Sequence, residues 1–167
     1  YIAEYETTIS GEYLVTLSHL NETGAIINST TEAFRVELDA PYSVERQGPT
    51  RIYPVSAYQM NLVVKPREGF NGVIREVVPE GFGISAVNGG AVTRDDGVQY
   101  VAWPVELKAG ESKTLSYTFK APEVSPYLYI LGPEKILNNS GETMFEEGRT
   151  WKIASDALSI ATGIAWL

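Results

Sequence analysis

The chain has 167 residues, a net charge of −8, 44% apolar residues and no cysteine. That length suits one sizeable domain or two small ones with a real core, and no run of about 20 apolar residues offers a membrane span. The acidic balance excludes nucleic-acid and anionic-membrane partners, which need clustered Lys and Arg where this chain scatters 13. The lack of cysteine excludes disulfides, thiolate metal sites and Cys nucleophiles.

The chain begins at Tyr1 with neither an initiator Met nor a basic-then-apolar leader, and reads as a mature form after cleavage or as a fragment. Its first segment, "YIAEYETTI", sets Tyr1, Ala3, Tyr5, Thr7 and Ile9 on one face, with glutamates on or near the other, as an edge strand would. The single histidine, His19, falls at the end of a strand and reads as a surface residue rather than a general base. Three N-x-S/T sequons make Asn21, Asn28 and Asn138 candidates for glycosylation. "AFRVELD" alternates Phe34, Val36 and Leu38 against Arg35, Glu37 and Asp39. Val44 to Pro54 reads as a long loop.

Further strands follow: "YQMNLVV" with Met60, Leu62 and Val64 inward, "VQYVAW" with Val101 and Trp103 inward, and "TLSYTF" with Leu115, Tyr117 and Phe119 inward. Turns are read at Arg67-Glu68-Gly69, Asn71-Gly72, Asn88-Gly89-Gly90, Asp95-Asp96-Gly97 and Ala109-Gly110-Glu111, where Gly or Asn supplies positive φ. Pro79 ends a strand because it lacks a donor for the ladder. "GETMFEEGRT" allows one helical turn at most. Short strands between Gly/Pro turns indicate an all-β fold, an immunoglobulin-like antiparallel β-sandwich with additional N- and C-terminal strands. No linker divides it, so residues 1–156 are expected to form one elaborated domain, followed by the apolar segment 157–167.

Residues Met60 to Pro122 carry Val78-Pro79-x-Gly81-Phe82, a Trp103 strand, Ala109-Gly110-Glu111-Ser112 and Leu115-x-Tyr117-x-Phe119. This stretch, residues 58–122 as a unit, resembles the conserved immunoglobulin-like repeat of bacterial and archaeal surface proteins. The resemblance implies a secreted, extracellular or cell-surface β-sandwich and brings no catalytic residue with it. In sandwiches of that kind a Lys–Asn cross-link sometimes forms beside a buried carboxylate.

Chemical motifs are sparse. Glu146 and Glu147 are neighbours that a strand would point to opposite faces. Asp95-Asp96-Gly97 has too few carboxylates for a calcium loop. Tyr127, Tyr129 and Trp151 are aromatics that either stack on sugars or fill the core. No catalytic residue, cofactor or metal site is expected, and the chain is read as a non-enzyme.

The last eleven residues, "ALSIATGIAWL", carry no charge and alternate Leu158, Ile160, Thr162, Ile164 and Trp166 with small residues. That is a strand about 35 Å long at roughly 3.3 Å per residue, whose large face is worth on the order of 6–12 kcal/mol if buried. It is either the last strand of its own sandwich, a donor strand for the next subunit, or the stub of an anchor. Donation builds a head-to-tail homopolymer of identical subunits, a pilus-like extracellular filament, and is the leading expectation. The alternative is a surface binding or adhesion module for carbohydrate or a protein partner, with glycans as further partners.

Overall fold

Period-2 alternation becomes strand along most of the chain. The computed structural model describes residues 6–54 and 56–155, which hold thirteen strands and no helix. The chain divides into two compact units, residues 1–40 and 41–167.

The first unit is an antiparallel hairpin of β1 (Gly11–Leu20) and β2 (Ile26–Val36), in register from Gly11↔Val36 to His19↔Asn28, with a shift between His19 and Leu20. Two cross-strand pairs tie it: Thr16 and Thr31 hydroxyls at 2.8 Å, and the stacked rings of Tyr13 and Phe34 at 5.6 Å. The edge-strand reading of "YIAEYETTI" fails over residues 6–9, which are irregular; residues 1–5 lie outside the described ones. Leu38, grouped by alternation with Phe34 and Val36, is exposed because β2 stops at Val36.

The second unit is a sandwich. One sheet runs β3 (Tyr42–Gln47), β4 (Tyr58–Pro66), β9 (Lys113–Lys120), β6 (Gly83–Asn88). The other runs β12 (Thr143–Glu146), β11 (Glu134–Asn138), β5 (Phe70–Val78), β8 (Val98–Leu107), β7 (Ala91–Asp95). Every pairing is antiparallel. Met60, Leu62, Val64, Leu115, Tyr117 and Phe119 from the first sheet bury against Ile74, Val101, Trp103 and Val105 from the second. A separate ribbon pairs β10 (Tyr127–Leu131) with β13 (Trp151–Ser155). On its other side β13 bonds the segment around Arg51: the amides of Ile52 and Ala154 donate to Ala154 O and Thr50 O, each at 2.9 Å.

Several local readings change. Val44–Gln47 belongs to β3, not to a loop, because Val44 and Arg46 turn inward as β3 pairs with β4. Residues 143–146 are strand β12, not a helical turn. Gly110 closes an arch between the two sheets, not a hairpin, since β8 and β9 lie in different sheets. Asp96 and Gly97 do form a two-residue hairpin loop, at φ 48° and 78°. Asn71 and Gly72 sit inside β5, paired with Glu106 and Val105. Gly72 is needed there for closeness: a Cβ would overlap the Leu137 carbonyl oxygen and the Phe70 ring.

Gly72→Ala is therefore expected to destabilise the sandwich by about 1–3 kcal/mol. Gly69→Ala, whose Cβ would meet only Leu107 O at 3.8 Å, should shift the urea midpoint much less; equal shifts for the two variants contradict the close packing.

Candidate functional site

Alternation along β5 puts Glu76 on the same inward face as Phe70, Ile74 and Val78; along β3 it puts Arg46 with Tyr42 and Val44. A charge on an apolar face needs a partner, and these two find each other across the sandwich. The Arg46 guanidinium donates from Nη1 to Glu76 Oε1 at 2.5 Å, from Nη2 to Glu147 Oε2 at 2.7 Å, and from Nε to both Glu147 oxygens at 2.9 Å. Glu134, opposite Glu76 in the β11–β5 ladder, is wholly buried, and its backbone N–H donates to Glu147 Oε2 at 3.2 Å. Among the described residues, neither Glu134 carboxyl oxygen nor Glu76 Oε2 finds a hydrogen-bond partner.

One cation thus faces three carboxyls. Burial pushes Glu134 up to about 8, with the Arg46 charge opposing and Glu76 and Glu147 adding to the rise. Burial also raises Glu76, against the pull of Arg46. Burial alone would lower the Arg46 guanidinium, but its hydrogen bonds to Glu147 and the carboxylate charges raise it instead.

The cluster anchors the β10–β11 junction. Gly132, at φ 79°, follows β10 and lies so close to Arg46 that a Cβ would stand 2.7 Å from Nη2. Its amide donates to Val77 O at 2.8 Å. With that end held, β10 forms one wall of a recess of about 460 Å³ lined by Pro79, Gly81, Phe82, Pro122, Val124 and residues 127–130. The recess is largely apolar and its walls are braced. Buried Gln99 donates Nε2 to Pro79 O at 3.3 Å and Phe82 O at 3.2 Å, fixing one turn. The Tyr129 hydroxyl donates to Pro122 O at 3.1 Å, fixing the other wall. Tyr129 is buried, edge-on to Phe82 at 5.0 Å, while Tyr127 is 53% exposed with its ring 4.6 Å from that of Tyr129.

Of the three aromatics singled out from sequence, only Tyr127 offers an open ring. Tyr129 packs behind it, and Trp151 is tied down by Nε1 donating to Pro49 O at 2.9 Å. Glu147 joins the buried cluster, whereas Glu146 pairs with Lys135 at 3.0 Å at the surface; the opposite-face argument holds, but Glu147 is not solvated. His19 is exposed on β1. Asp95-Asp96-Gly97 is a hairpin turn, and no group of metal-ligating side chains occurs among the described residues. The buried polar residues there are Glu76, Gln99, Glu134 and Ser155; the carboxylates face the Arg46 side chain, itself 4% exposed, not a lysine and asparagine. Asn21 lies at the hairpin tip, Asn28 within β2 and Asn138 at the end of β11. Leu158, Ile160, Thr162, Ile164 and Trp166 lie outside the described residues. Among the described residues no helix is long and apolar enough to cross a membrane.

No protein-family model matches the chain, and no curated protein matches it. Several solved structures are similar in part. A non-cellulosomal cohesin from the archaeon Archaeoglobus fulgidus matches at TM-score 0.46 and 12% identity, over 75% of this chain and 98% of its own. The chitin-binding domain of a Pyrococcus furiosus chitinase matches at TM-score 0.44 and 11% identity, over 65% and 97%. A cohesin module from a Clostridium perfringens family 33 glycoside hydrolase matches at TM-score 0.44 and 13% identity, over 69% and 95%. The sandwich assignment rests on the two sheets of this chain.

Two measurements probe the cluster. Between about pH 4.5 and 8 folded Glu134 keeps a proton that the unfolded chain has released, so stability falls as pH rises through that window. Glu134→Gln should flatten part of that slope and be more stable than the parent at pH 9; an unchanged slope in urea melts refutes it. Arg46→Ala leaves Glu76 unpaired and is expected to cost about 3–5 kcal/mol. The double replacement Arg46→Met with Glu76→Leu should recover much of that loss.

Proposed function

We propose that the chain is an extracellular or cell-surface binding module with no catalytic activity, and that its contact site is the recess beside β10. The observation that carries this reading is the half-exposed Tyr127 ring, backed by buried Tyr129 and Phe82, at a braced, largely apolar hollow. A volume of about 460 Å³ falls in the range of about 300–1,000 Å³ usual for small-molecule sites. An exposed aromatic face suits the C–H face of a sugar ring, and the prolines and aliphatics around it suit apolar substituents such as acetyl groups. So few polar groups imply weak single-site affinity, made effective by repetition along a polysaccharide. Filament assembly through residues 157–167 draws no support from the described residues and takes second place.

The test is adsorption to insoluble chitin and cellulose, followed by titration with soluble oligosaccharides. Tyr127→Ala is expected to weaken binding at least about tenfold, or ~1.4 kcal/mol, with an unchanged melting curve, whereas Tyr127→Trp retains binding. A parent protein that binds no glycan on an array, or a Tyr127→Ala variant that binds as well as the parent, overturns the carbohydrate reading.

A further inference from the structure

The first unit raises a question that the recess does not answer. β1 and β2 form a two-stranded hairpin whose tip is flanked by apolar side chains open to solvent: Leu20 at 50%, Ile26 at 65% and Ile27 at 60%. Between them runs Asn21-Glu22-Thr23, one of three sequons in the chain.

The three asparagines sit in different geometries. At the tip, Asn21 Oδ1 accepts three hydrogen bonds: from Thr23 Oγ1 at 2.8 Å, Thr23 N at 3.0 Å and Ala25 N at 2.9 Å. The turn is closed by Asn21 N donating to Ala25 O at 2.9 Å and Gly24 N donating to Asn21 O at 3.0 Å. Three donors on the carbonyl oxygen draw density towards it and make the Nδ2 protons easier to lose. The Thr23 hydroxyl, the feature that defines a sequon, is the shortest of the three. Nδ2 itself is exposed and engaged by no group among the described residues.

Asn138 shows the reverse. Its Nδ2 donates to Glu142 Oε2 at 2.8 Å, its Oδ1 is taken by the amides of Ser140 and Glu142, and the residue is half-buried opposite Gly72 in the β11–β5 ladder. Asn28 is held in extended backbone opposite His19, where the hydroxyl two residues on cannot fold back onto the amide without breaking the strand.

We propose that Asn21 is an N-glycosylation site of this chain, preferred over Asn28 and Asn138 because its turn is already bent around the acceptor amide. The donor is an oligosaccharide carried on a polyprenyl diphosphate. Asn21 Nδ2 attacks the anomeric carbon; a C–N bond forms and the C–O bond to the diphosphate breaks. The diphosphate leaves with the electron pair, and the Nδ2 proton passes to a base of the transferase. The sugar chain screens Leu20, Ile26 and Ile27 from other molecules. This inference shares with the preceding section only the export of the chain; the recess has no part in it.

The test is intact-mass and peptide mass spectrometry of the full chain, exported by a host that N-glycosylates secreted proteins and in which a co-expressed reporter sequon is modified. A hexose- or N-acetylhexosamine-sized increment on the Asn21 peptide is expected, at several-fold higher occupancy than on the Asn28 or Asn138 peptides. Asn21→Gln and Thr23→Ala should abolish that increment, and Thr23→Ser should retain it. Equal or greater occupancy at Asn28 or Asn138, or no increment while the reporter is modified, overturns the proposal. Neither outcome depends on whether Tyr127 binds sugar.

Discussion

A single guanidinium, Arg46, crosses the sandwich from β3 and holds carboxylates on the opposite sheet and beside β12. In a core built mostly from aliphatic and aromatic side chains, this ionic staple dictates alignment more than it adds stability, because the desolvation of both charges offsets most of the attraction. Its value lies in what it forbids. A one-residue slip of β3 against β4 would send Arg46 to solvent and drive Glu45 or Gln47 inward, leaving Glu76 buried without a counter-charge. The register of an edge strand, usually the weakest feature of a sheet, is here tied to charge pairing.

The same staple reaches the recess through the backbone. Gly132 can lie against the guanidinium only because it lacks a Cβ, and its amide hooks β10 to Val77 of β5. Leu131 and Tyr129 are then drawn into the core, and Tyr127, two residues further along the same face, is left at the rim. Gln99 and the Tyr129 hydroxyl restrain the two facing loops. The hollow is thus braced by buried polar contacts, and for the binding proposed there a preformed wall would lower the ordering cost.

Much of the fold is legible in the sequence. The inward faces of "YQMNLVV", "VQYVAW" and "TLSYTF" are buried as their alternation indicates, and Asp96-Gly97 makes the hairpin its residues favour. What misleads is Gly and Asn inside strands: Asn71-Gly72 resembles a turn, yet the glycine serves a close approach of chains. Arches between sheets are likewise indistinguishable from hairpins, since both use the same turn chemistry. The ionic cluster leaves a trace that alternation alone exposes, in Arg46, Glu76 and Glu134 sharing faces with Val44, Ile74 and Ile136. Which of them meet is decided by strand order, and local pattern carries no strand order. For the aromatics the residue types were informative, but the division of Tyr127 at the rim from Tyr129 in the core depends on where β10 is pinned.

The strand order has a kinetic consequence. Ile74 pairs with Ile136 and Leu62 with Leu115, so central strands find their neighbours only after long stretches of chain have been closed into loops. Sandwiches dominated by such distant pairings fold over milliseconds to seconds rather than microseconds. During synthesis β5 emerges well before β11, with a hydrogen-bonding edge and an acidic side chain waiting for partners not yet made. A carboxylate such as Glu76, on the face of β5 that is later buried, is the kind of charge that opposes strand-to-strand association while that face is still open.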